Sequence, residues 1–201
     1  CGDSGDGLIH SQACTETFTA CGGDPVGTWD IVAVCTDGNI VDEYDKTAMP
    51  ACKGVRESVT LAAAGSVKYT ADAAVYDGRA EESALMRYSA TCTEAVHGIS
   101  SLSPEACREI QRRSTDPRIG EVTKCKFESG NCKCSETTTV EVGGAYVYGI
   151  TNRVVIDGLR TGGTRIVEED TAYDFCINGD MMVQREKLYG DAYVVTTLKK
   201  R

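Results

Sequence analysis

The chain has 201 residues, 41% of them hydrophobic, and a formal net charge of −9, which is material for one well-filled domain or two small ones. The acidic balance repels phosphate backbones and argues against nucleic acid as a partner, and the basic tail Lys199-Lys200-Arg201 is too short to reverse it. No window approaches the ~18 consecutive apolar residues of a membrane-spanning helix.

Residues 1–20 are polar, rich in Ser, Thr and Gly, and without periodicity, so they read as a flexible tether. The run GDSG at residues 2–5 resembles the sequence around the nucleophilic serine of chymotrypsin-like proteases. That serine needs a rigidly held base and a preformed oxyanion site. Ser4 has no scaffold before it, and His10 lies in the same Gly/Ser/Asp-rich stretch, so no catalytic residue is assigned.

A single β domain is expected over residues 21–201. Its first strand runs from Trp29 to Cys35, where Trp29, Ile31, Ala33 and Cys35 alternate with Asp30, Val32 and Val34. Asp37-Gly38 turns the chain. The following run TDGNIVDEYDK, with carboxylates at Asp37, Asp42, Glu43 and Asp45, misses the EF-hand spacing and reads as a solvated acidic loop; its calcium affinity is left open.

Short β-branched or aromatic runs then recur to the C-terminus, among them SVTLAA, SVKYT, AAVY, ALMRYSATC, CKFES, AYVYGI, RVVI and AYVVTTL. Asp77-Gly78, Gly143-Gly144, Asp157-Gly158, Gly162-Gly163 and Asn178-Gly179 are predicted turns between them. Glu168-Glu169-Asp170 reads as a charged surface turn. YDFCI-NG-DMMVQRE is the clearest hairpin, with Tyr173, Phe175 and Ile177 on one face and Asp174 and Cys176 on the other. One short helix is predicted over residues 102–113, with Ser103 as N-cap, Pro104 at its first position and arginines in its last turns. The pattern is mostly β, an antiparallel up-and-down barrel or sandwich.

Eleven cysteines lie at 1, 14, 21, 35, 52, 92, 107, 125, 132, 134 and 176. No CxxC pair and no Cys/His cluster suggests a metal centre, and disulfides in an oxidising compartment are expected instead. Cys132-Lys133-Cys134 could form a strained redox pair or join Cys125 around a metal. The simpler expectation is that its two sulfurs bond separate partners. Cys14, Cys21, Cys35, Cys52, Cys92, Cys107, Cys125, Cys132, Cys134 and Cys176 would then make five bridges, in any of ~945 pairings.

Cys1 falls outside that count. A cysteine at position 1 followed by small polar residues resembles a mature bacterial lipoprotein, cut free of its signal peptide. That resemblance implies acyl chains on Cys1, a membrane anchor and, with Gly2 following, an outer-membrane or cell-surface address.

Gly27-Thr28-Trp29 resembles the GxW at the start of the first lipocalin strand, where the tryptophan closes the narrow end of an eight-stranded barrel, usually under an arginine from the last strands. CGGDPVGTW and the late YDFCINGD hairpin are similar to lipocalin-like, Cys-rich surface lipoproteins of the myxobacterial type. Gly27 and Trp29 would be barrel-closing residues; Trp29 as an ordinary core aromatic is the alternative, and both readings bury it.

The function expected first is a non-enzymatic, lipid-anchored structural or interaction module, with a protein partner or further copies of itself. The alternative is a lipocalin-like carrier of a small apolar ligand. A filled interior would favour the module and an apolar hollow of several hundred Å³ the carrier. No cofactor or metal is called for, and two histidines leave little from which to build a hydrolase.

Overall fold

The computed structural model describes residues 7–48, 50, 52, 54–71, 73–115, 120–151, 165–168 and 171–201. The predicted run at 153–156, the turns at 157–158 and 162–163, and Cys1, Ser4, Glu169 and Asp170 lie outside them. Among the described residues, eleven strands share one sheet. They are β1 (Ile9–His10), β2 (Gln12–Ala13), β3 (Gly27–Asp37), β4 (Arg56–Tyr69), β5 (Ala73–Tyr88), β6 (Glu121–Glu128), β7 (Asn131–Thr151), β8 (Arg165–Glu168), β9 (Thr171–Asn178), β10 (Met181–Lys187) and β11 (Tyr193–Lys200).

The long strands pair antiparallel in the order β4-β5-β7-β8-β9-β10-β11-β3. β3 also meets β4, but only over Gly27–Asp30 against Ser66–Tyr69. Beyond Asp30 the two strands part. The sheet therefore curls until its flanks touch at one end, and it is not closed into a barrel along its length.

The N-terminal segment occupies the parting. β1 pairs with Ala62 and Ala63 of β4, and β2 runs parallel to Cys35 and Thr36 of β3. The Ser11 amide donates to the Leu61 carbonyl at 2.7 Å, and Ser11 Oγ accepts from the Leu61 amide at 3.0 Å. Leu8 is buried. Of the expected tether over residues 1–20, Ile9–His10 and Gln12–Ala13 are thus laid into the sheet. The reason is that β3 and β4 would otherwise face each other across unpaired amides and carbonyls, which a polar segment with free backbone groups satisfies.

Two predicted turns are strand interiors instead. Asp77-Gly78 sits inside β5 opposite Ser66 and Gly65, and Gly143 lies inside β7 opposite Asp77. Gly65 has φ 129°, and a Cβ there would lie 2.3 Å from the Asp77 carbonyl oxygen. These glycines let the strands approach and coil rather than reverse. The β9–β10 hairpin forms as expected, but its two-residue loop is Gly179-Asp180, since Asn178 pairs with Met181.

Among the described residues, three helices replace the expected one. α1 (Ile40–Ala48), α2 (Ala90–His97) and α3 (Pro104–Ser114) follow in chain order. The predicted helix is α3, and Ser103 caps it by accepting from the Ala106 amide. The acidic run read as a loop is α1: Asn39 Oδ1 accepts from the Asp42 amide, and Asp42 and Glu43 sit in the positive first turn. The tail of ALMRYSATC, read as strand, enters α2, where Ser89 caps the Cys92 amide and Gly98 ends the helix at φ 66°.

Inward-facing residues form two clusters. At the end where β3 and β4 meet, Trp29, Val67, Tyr69, Ala74, Phe175, Met182 and Leu198 pack together. At the other end Cys52, Val55, Met86, Tyr88, Cys92, Cys107, Ile110, Cys132 and Cys134 form a second core beneath α2 and α3. All ten described cysteines are bridged: Cys14–Cys35, Cys21–Cys176, Cys52–Cys92, Cys107–Cys132 and Cys125–Cys134. Cys132 and Cys134 share a face of β7 and bond separate partners, one on α3 and one on β6. Five such bridges place the chain in an oxidising, extracytoplasmic environment.

Candidate functional site

Between the two cores the sheet is hollow. A cavity of about 200 Å³ rests on the Trp29 cluster and is bordered by Ile31, Val67, Tyr76, Gln184 and Leu198. A second cavity, of about 480 Å³, continues toward the helices and is bordered by Val34, Leu61, Val140, Leu188 and Val194. Both are lined by Ala63, Ala80 and Thr196, so small side chains form the waist between them. The space exists because alternation along β4, β5 and β11 puts Ala, Gly and Thr inward there, where the two end clusters have aromatics, Met and Leu.

The floor is built by Trp29. Its ring is fully buried, and Nε1–H donates to the Pro25 carbonyl at 2.7 Å. The Lys200 ammonium stands 5.2 Å from the ring centroid. A Cβ on Gly27 would come within 2.7 Å of the Lys200 side chain. Gly27 is thus the residue that lets the last strand's lysine lie over the tryptophan, and the structure brings these two predicted residues together.

The upper cavity carries charge. Arg56, at the start of β4, keeps only 3% of its side chain exposed. Its Nη1 donates to Glu82 Oε1 at 2.7 Å, and its guanidinium carbon lies 3.3 Å from the centroid of the Tyr44 ring. Arg56 Nε is buried without a hydrogen-bond partner among the described residues. Glu136, on β7, borders the same space. Burial, and then the neighbouring Glu121 carboxylate, push its carboxyl above the usual range, against the pull of Arg56.

α1 lies across this end. Asp45 Oδ2 accepts from the Gly54 amide at 2.7 Å, and Glu43 Oε2 accepts from the Asp191 amide at 3.3 Å. Tyr44 packs edge-on to Tyr189 with ring centroids 4.9 Å apart. The acidic residues therefore hold a helix over the hollow. Asp42, Glu43 and Asp45 each engage a different partner, Asn39, Lys46 and Gly54 in turn.

His10 sits exposed on β1, and His97 packs against Tyr88 at the end of α2. Among the described residues no three His, Cys, Asp or Glu side chains gather as metal ligands would. Sequence reasoning missed Arg56, Glu82, Glu136, Tyr44 and Tyr189, which come from five separate segments. The available signal was alternation: Ala84 and Met86 inward imply Glu82 inward, and Cys132 and Cys134 inward imply Glu136. No protein family, curated protein or solved structure matches this chain.

Proposed function

We propose that this protein is a non-enzymatic, extracytoplasmic carrier that holds one small, largely apolar molecule inside its curled sheet. The observation that carries the reading is the hollow itself, about 480 Å³ above about 200 Å³, lined mostly by Ala, Val, Leu, Ile and Tyr side chains, with Arg56, Glu81, Glu82 and Glu136 among those of the upper part. That size is in the range of small-molecule sites. A structural or self-assembling module would have no use for unfilled interior space, since each void forfeits packing contacts.

A lipocalin-like plan supports the same reading: long antiparallel strands in near-sequential order, and a buried Trp29 under Lys200 at the end where β3 and β4 meet. An anchor through acyl chains on Cys1, at an outer membrane or cell surface, also belongs to this proposal. Its support is parity, because the ten other cysteines pair among themselves.

The test uses the oxidised full chain and Nile red, an uncharged apolar fluorophore. Ala80 borders both cavities, so Ala80→Trp fills the waist. The wild type should bind dye at one site per chain, and the variant should lose at least about tenfold in affinity while keeping its circular dichroism spectrum. Absence of dye binding, or equal affinity in a folded Ala80→Trp, overturns the carrier reading.

A further inference from the structure

The upper part of the hollow is open to water and acidic. Val140 lies on the inner face of the sheet, opposite Ala80, and is nevertheless 51% exposed. Three carboxylates border this part, Glu81, Glu82 and Glu136, and among the described residues Arg56 is the one basic side chain against them.

The cation and the acids are not equally available to a ligand. Arg56 keeps only 3% of its side chain exposed, gives an Nη1–H to Glu82 and packs against the Tyr44 ring. Glu82 remains 29% exposed in that same ion pair. Glu81 is held by Arg79 at 3.3 Å. Glu136 makes no hydrogen bond or ion pair among the described residues, so its charge is the one left over. Burial and then Glu121 push its carboxyl up more than Arg56 pulls it down.

This asymmetry selects the head of a bound amphiphile. A carboxylate head would be repelled by Glu82 and Glu136, and the guanidinium that could offset them is buried in its own ion pair. A hydroxyl head would gain nothing from the excess charge. An ammonium head is attracted to Glu136 and keeps much of its hydration, because water reaches the opening. The chain's net charge of −9 draws cations toward it as well.

Resting on the carrier reading above, we propose that the bound molecule is a cationic amphiphile. Its ammonium head pairs with Glu136 at the solvent-facing opening. Its apolar chain runs past Leu61 and the Ala63/Ala80 waist toward Leu198.

Three eight-carbon probes that differ only in the head test this: octylammonium, 1-octanol and octanoate. Each displaces Nile red from the oxidised full chain slightly above neutral pH and at low salt. Octylammonium should compete about fivefold more tightly than 1-octanol, the scale of one partly solvated ion pair, and octanoate most weakly. Raising the salt to about 0.5 M should shrink that lead. Glu136→Gln keeps the side chain's size and removes its charge, and in it octylammonium and 1-octanol should compete within about twofold of each other. Equal competition by all three in the wild type, a lead for 1-octanol or octanoate, or a lead that salt leaves unchanged overturns the cationic assignment and leaves the carrier reading intact. A folded Glu136→Gln protein that keeps the full lead overturns the pairing with Glu136. Failure of Nile red and all three probes to bind overturns the carrier reading and this assignment with it.

Discussion

Glu136 is a half-buried acid on the inner face of the curled sheet, and the consequence reaches the stability of the whole chain. Its folded carboxyl holds a proton more firmly than the ordinary value of 4.5, through burial first and Glu121 second. When both states are protonated this group makes no difference to folding. As pH rises past the ordinary carboxyl value, the unfolded chain ionises first and is favoured, so stability falls until the folded carboxyl also ionises. Glu136→Gln removes this contribution. In urea titrations the variant should gain on wild type as pH rises from about 4 to about 8. A difference that stays constant, or shrinks with pH, contradicts the environment described for Glu136. Arg56 and Glu82 illustrate why such groups escape sequence reading. Each is one charged letter among 51 Lys, Arg, Asp and Glu residues, and only the pairing of β4 with β5 brings them to 2.7 Å.

Strands and staples divide the work of holding the curl. Cys21–Cys176 spans a sequence separation of 155 and ties the approach to β3 onto β9, whereas Cys125–Cys134 spans 9 and ties adjacent strands already paired. In the chain-entropy model the long bridge contributes about 5 kcal/mol and the short one about 3. Replacing Cys21 and Cys176 together by Ser should lower the urea midpoint more than replacing Cys125 and Cys134 together. The opposite order would show that local bridging around α3 limits stability. Helix α3 could be read from Ser103 and Pro104 because its cap is a local interaction. β7 could not be read as one strand of 21 residues. Gly143 looks like a turn residue, and only pairing with β5 keeps the chain extended through it. α1 was hidden by its carboxylates, which read as solvated until Gly54 and Asp191 supply the amides that donate to two of them.

The molecule as a whole is a sheet curled around space, pinched shut at the Trp29 end and parted at the other, where β1 and β2 fill the gap. Its β character, the ten paired sulfurs and the burial of Trp29 follow from alternation, parity and aromatic chemistry, all local in the sequence. The degree of closure does not, because it depends on where β3 leaves β4, a contact between segments some forty residues apart. Cavity volume is likewise a property of the small residues at Ala63 and Ala80 only once their strands are placed. The most direct measurement is nuclear Overhauser contact between 1-octanol and methyl-labelled protein. Occupied interior predicts contacts from the octyl chain to Ile31, Leu61, Val194 and Leu198, and none to Val122 on the outside of β6. Contacts confined to Val122 and other exposed methyls, or no contacts at saturating alcohol, would mean that the hollow holds nothing.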